Sequence, residues 1–158
     1  MSFPRSVFAG TVAAAVGTVL LDIVTYTDMA VRGRAPSTVP ATTVNNLAQY
    51  LGLEGLAADD ETSANRRSGF GALLGYANGI AIGGAYGALG PLAQKLPLTI
   101  RALAVGGVTM AAADVLATKS GATDARTWGI EGWLSDLIPH VVFGYAVACT
   151  YDVLAGDA

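Results

Sequence analysis

Four stretches of the chain run long and apolar between shorter polar ones: Val7 to Thr27, Gly69 to Leu89, Leu98 to Ala117 and Leu134 to Ala155. A helix rises about 1.5 Å per residue, so about 20 apolar residues cross the roughly 30 Å hydrocarbon layer of a bilayer. All four stretches reach that length. Their only ionisable residues are Asp22, Arg101, Asp114, Asp136, His140 and Asp152, most of them near an end. Lipid offers no water to unpaired backbone groups, which makes helix the default conformation. The pattern therefore predicts an all-α integral membrane four-helix bundle, a single transmembrane domain over residues 1–158. Arg5 and Ala13-Ala14-Ala15 resemble parts of a signal peptide. The apolar run ahead of that cut, Val7 to Val12, is too short, so the segment reads as a retained span.

The connections agree with these cuts. Pro91, Lys95 and Pro97 interrupt the chain between the second and third spans, where proline cannot continue a helix. Lys119 to Glu131 is polar, and Trp128 and Trp133 mark the lipid–water boundary before span four, as belt anchors or as a docking surface. The first loop, Asp28 to Ser68, holds a short amphipathic interfacial helix from Pro40 to Leu51, stopped by Gly52. Its apolar stripe is Val44, Leu47, Ala48 and Leu51, and its other face is neutral Thr, Asn and Gln. Such a helix lies across the bundle mouth or in the interface. Asp59-Asp60-Glu61 and Arg66-Arg67 follow as a solvated turn and a basic anchor.

Composition sharpens the class. The residues are 53% apolar and only 13% charged, about half the roughly 25% that a soluble domain needs to wet its surface. A lone Cys149 rules out a disulfide scaffold, and the apolar content rules out disorder. Nine scattered basic residues make no nucleic-acid surface, and Gly69-Phe-Gly71 follows no strand that would make it a phosphate loop. No Ser–His–Asp order, HExxH or activated cysteine is present, so the chain is expected to be non-enzymatic, with neither a cofactor nor a metal site. Counted by side, six basic residues flank loops one and three: Arg32, Arg34, Arg66, Arg67, Lys119 and Arg126. Three (Arg5, Lys95 and Arg101) lie with the termini and loop two. The positive-inside rule then puts loops one and three in the cytoplasm and both termini outside.

Gly71, Gly75, Gly79, Gly83 and Gly87 recur every fourth residue along span two, with Ala102 and Gly106 in span three and Gly144 and Ala148 in span four. Membrane helices associate through close packing, which small residues permit. The stripe suits a glycine zipper, either within the bundle or against a second copy or partner subunit. A faint internal repeat pairs Asp22 with Asp114, and Gly79 and Tyr86 with Gly144 and Tyr151.

Charges inside a bilayer are costly and tend to face inward. Antiparallel threading brings Asp22, Asp114 and His140, with mid-span Asn78, towards the membrane face bearing loops one and three. Asp136 and His140 share a helix face at i, i+4, and Pro139 frees a backbone carbonyl beside them. Such a cluster suits a structural hydrogen-bonded network, or else a proton relay, a divalent cation, or a cationic headgroup or quinone-like ligand.

The segments DIVTYTDMAVRGRAPSTVP (Asp22 to Pro40) and WLSDLIPHVVFGY (Trp133 to Tyr145) resemble those of small four-span bacterial inner-membrane proteins without assigned activity. The resemblance implies that architecture and location and no functional residues. Seven Arg against two Lys suit a GC-rich bacterial genome. The function expected is a non-catalytic accessory subunit of a membrane assembly or homo-oligomer, in contact with the lipid bilayer. The alternative is a small oligomeric channel or carrier for protons, cations or a small solute.

Overall fold

Pro4 in the first turn and Gly33 at φ 65° bound the first helix, α1 (Phe3–Arg32), because proline presets the opening turn and glycine accepts the left-handed stop. The computed structural model describes residues 1–156; the last two positions of the expected domain lie outside the described residues. After α1 come α2 (Val39–Leu51), the single turn α3 (Glu54–Ala57), α4 (Glu61–Ala88), the single turn α5 (Gly90–Ala93), α6 (Leu98–Lys119), a 3₁₀ turn over Ala125–Thr127, and α7 (Ile130–Gly156). No strand occurs among the described residues.

Helix ends follow capping chemistry rather than hydropathy. α4 starts well before its apolar stretch because the Asp60 carboxylate accepts the Ser63 N–H at 2.9 Å and the Ser63 hydroxyl at 2.7 Å. Arg67 then donates to the Leu56 and Ala58 carbonyls at 2.8 Å, holding α3 against the first turns of α4. α7 likewise begins ahead of Trp133, and Pro91 opens a short turn between α4 and α6 instead of an irregular loop.

Three helices, α1, α6 and α7, are long and apolar enough to cross a membrane. α4 is as long but falls outside that set, since glycine, with Tyr76, Asn78 and Tyr86, replaces apolar side chains along it. The helices pack inside out. α1 turns Ser6, Ala9, Gly10, Ala13, Ala14 and Gly17 inward and leaves Phe8 68% exposed. Val19, Ile23, Leu73, Ile100, Leu103 and Ile138 also face outward, while Phe143, Val147 and Tyr151 of α7 fill the centre. A soluble protein buries its large apolar side chains. Small residues inside and large ones outside match a multi-pass membrane protein, whose helices gain little by hiding apolar surface from lipid.

α1 packs along both α4 and α7, and α7 along α6, whereas α4 meets α6 only lightly. The glycines explain the first contact. A Cβ on Gly83 would meet the Ala14 Cβ at 2.2 Å and the Gly10 carbonyl at 2.6 Å; one on Gly87 would meet the Ser6 carbonyl at 2.3 Å. Gly144 sits equally hard against the Ala102 carbonyl, at 2.0 Å. The stripe on α4 is not one face, however. Every fourth residue advances about 40° past a full turn of a 3.6-residue helix. Gly71 therefore meets Pro40 of α2, Gly79 meets Thr18 and Phe143, and Gly75 between them has nothing within 4 Å.

α2 lies across α4 and touches the end of α6, where Asn46 donates to the Ser120 carbonyl at 2.9 Å. Ala48 is buried as its stripe predicts, but Leu51 at the far end stays exposed and Thr43 is buried in its stead. The contact face is thus rotated towards residues 43 and 48.

Two outcomes follow from this packing. Gly83→Ala overpacks the α1–α4 contact and is expected to destabilise the protein by about 1–3 kcal/mol. Gly75→Ala, into open space, is expected to stabilise by about 0.5–1 kcal/mol, the helix preference of alanine over glycine. Thermal unfolding in detergent distinguishes them, and equal effects would contradict the packing described. The Ser63 N–H and hydroxyl hold the Asp60 carboxyl below its ordinary value of 3.8. A depressed carboxylate stabilises the folded helix above its unfolded pKa and loses that contribution as pH falls through the lower folded value. Protection of the Ser63 amide from hydrogen exchange is therefore expected to hold from pH 8 to about 5 and to fade below about 4. Protection that never weakens as pH falls below the ordinary carboxylate range would exclude the cap.

Candidate functional site

Two polar groups of side chains lie at opposite ends of the helices. At the end bearing the α1–α2 and α6–α7 connections, His140 Nδ1 stands 2.8 Å from the Asp136 carbonyl oxygen and 3.4 Å from its carboxylate. A carbonyl only accepts, so the hydrogen in this arrangement is on Nδ1, leaving Nε2 free to take or give a proton. Asp114, from α6, lies near enough to feel the charges of Asp136 and His140. Oδ2 of Asp136 is buried and has no hydrogen-bond partner.

The cluster is held from outside. Arg32, in the last turn of α1, grips Asp28 through two hydrogen bonds of 2.6 Å and donates to the hydroxyl of Ser135, the residue before Asp136. Glu131 stands 3.8 Å from the same guanidinium. Trp128 and Trp133 pack with ring centroids 5.2 Å apart, and the Trp128 indole donates to Thr123 at 2.8 Å. Both rings thus stand beside the start of α7.

Of the five polar residues expected together, the structure pairs Asp136 with His140 and brings Asp114 near enough to feel their charges. Asp22 does not join them. It meets Tyr76 of α4, whose hydroxyl lies 3.4 Å away, because α1 and α6 flank α7 without packing on each other. Span threading gives depth in the membrane but not the side of the bundle. Asn78 also lies apart, donating to the Thr109 carbonyl at 2.9 Å and linking α4 to α6. No three His, Cys, Asp or Glu side chains among the described residues are arranged to hold a metal ion.

The opposite end carries a group that the sequence reading overlooked. Arg101 of α6, only 7% exposed, makes a bidentate pair with Asp152 of α7, both contacts at 2.7 Å. It also donates to the Tyr86 hydroxyl of α4 at 3.1 Å, while its Nε stays buried and unpaired. Gln94 donates to Asp152 at 3.2 Å. Tyr86 and Tyr151 meet edge to face at 5.2 Å, and Tyr151 reaches Ser6 of α1 at 2.5 Å. Ser6 already gives its one hydroxyl hydrogen to the Gly87 carbonyl at 2.6 Å, so Tyr151 is the donor between them. All four long helices meet here. The available signal was equal depth: Arg101 lies one turn into span three and Asp152 one turn before the end of span four, with opposite charges on antiparallel helices.

No family model, no curated protein and no solved structure matches the chain.

Proposed function

We propose that the chain is a four-span integral protein of a bacterial inner membrane, non-catalytic, and that it works as a small proton-linked carrier through Asp136, His140 and Asp114. α4 serves as the fourth span, entering the hydrocarbon after Arg67. Loops one and three face the cytoplasm. Six basic residues lie on that side, and pairing Arg101 with Asp152 leaves Arg5 and Lys95 as the basic loop residues on the other.

One observation carries the reading: the buried Asp136 oxygen without a partner, beside a second carboxyl and an imidazole. A buried polar atom left without a partner costs about 1–3 kcal/mol, so the vacant oxygen supports a role as a proton acceptor. A site that takes up and gives back a proton must keep one acceptor vacant. His140 and Asp136, in contact, and Asp114 nearby supply groups of different chemistry, as a proton relay needs.

A second reading, an accessory subunit or homo-oligomer, draws on Gly75 of α4 and Gly107 of α6. Nothing lies within 4 Å of a Cβ placed on either, so a helix from another chain can approach there.

Proton entry into vesicles holding the full chain and a pH-sensitive dye, driven by a potassium diffusion potential, tests the first reading. His140→Ala and Asp136→Asn are expected to cut the flux at least about tenfold, since positioned acid–base groups contribute that much or more. Parental flux in folded variants would overturn it. Native mass spectrometry from mild detergent tests the second. A stoichiometric second copy or partner is expected, and a bare monomer would remove that reading.

A further inference from the structure

α4 and α6 touch each other only lightly, whereas α1 holds α4 firmly and α7 holds α6. Three polar links close this thin seam. At the end bearing the chain termini, Arg101 donates to Tyr86 of α4 while held by Asp152 of α7. At mid-depth, Asn78 of α4 donates to the Thr109 carbonyl of α6. At the other end α2 bridges the two helices, seated on α4 through Pro40 against Gly71 and tied to α6 through Asn46 and the Ser120 carbonyl. Neither the glycine contacts of α1 nor those of α7 act across this seam: Gly83 and Gly87 face α1, and Gly106 and Gly144 join α6 to α7.

We propose that the α4–α6 seam is the joint that opens for passage, and that Arg101, bridging Tyr86 and Asp152, is the clasp that keeps it closed to water at the end opposite His140. This deepens the carrier reading, on which its purpose rests, by naming what closes the far side. The bond to Tyr86 spans the seam itself. The pair with Asp152 fixes the guanidinium in place, with two contacts of 2.7 Å that leave no freedom of rotation. Releasing Asp152 therefore frees the guanidinium from Tyr86 as well, and with it the one side-chain hydrogen bond between α4 and α6 at this end among the described residues.

Val105 provides the probe. It lies one helical turn inward of Arg101 on the same helix and is buried. In the full chain with Cys149→Ala, reconstituted in phosphatidylethanolamine–phosphatidylglycerol vesicles, Val105→Cys is exposed to a membrane-impermeant charged thiol reagent added on the side of the termini. Slow labelling is expected with the clasp intact. Asp152→Asn is expected to speed it at least about tenfold, a population shift that the loss of one buried ion-pair partner readily supplies. Tyr86→Phe, which removes only the link across the seam, is expected to give a smaller rise. Exchanging the charges, Arg101→Asp with Asp152→Arg, is expected to bring labelling back towards the slow rate, which unfolding alone would not allow. Labelling that stays slow in a folded Tyr86→Phe and a folded Asp152→Asn variant overturns the clasp. Fast labelling in these variants without proton flux in the parent keeps the clasp and discards the carrier reading. Flux that depends on His140 with Val105 protected throughout does the reverse.

Discussion

The backbones of α1 and α4 meet without side chains between them, and the placement of every polar contact at the termini end depends on that approach. Gly10, Gly83 and Gly87 leave the two main chains so close that any Cβ would strike a carbonyl. In lipid such contact supplies the dispersion energy that the hydrophobic effect supplies in water. The approach also brings Ser6 of α1 to the Gly87 carbonyl of α4. Tyr151 then fits between Ser6 and Gly90, where a Cβ on Gly90 would lie 1.7 Å from its hydroxyl oxygen. Seating Tyr151 fixes the turn of α7 that carries Asp152, and Asp152 fixes Arg101. An ion pair in the membrane thus rests on the smallness of residues a helix away.

Hydropathy told where the long helices lie, since apolar length is what lipid demands. It did not tell where they end. The Asp60 cap lengthens α4 into the loop, and α7 starts before Trp133, because hydrogen bonding at a terminus is indifferent to the bilayer. Within the candidate site, the i, i+4 spacing of Asp136 and His140 and the depth of Asp114 were readable, since both follow from helix rise alone. The separation of Asp22 was not, because the position of a helix around the bundle depends on which faces pack. The glycine spacing likewise announced close contact but hid its winding, so Gly71, Gly75 and Gly83 meet three different surroundings. Arg101 and Asp152 were visible singly. Their pairing required knowing that α6 and α7 are neighbours, which the short connection between them already implied.

The two ends of the bundle solve the same problem in different ways. A charged side chain at the centre of a span costs about 2.5–3.5 kcal/mol to insert, and less towards the interface. Arg101 and Asp152 cancel each other with a bidentate contact, so that pair is neutral without help from solvent. Asp114, Asp136 and His140 have no such arithmetic. With both carboxyls ionised and the imidazole neutral the group carries two negative charges, and each proton added removes one until it is neutral. Arg32 of α1 and Ser135 hold the start of α7 beside it. One end thus sets opposite charges in direct contact, while the other gathers two carboxyls and an imidazole around a carboxylate oxygen without a partner.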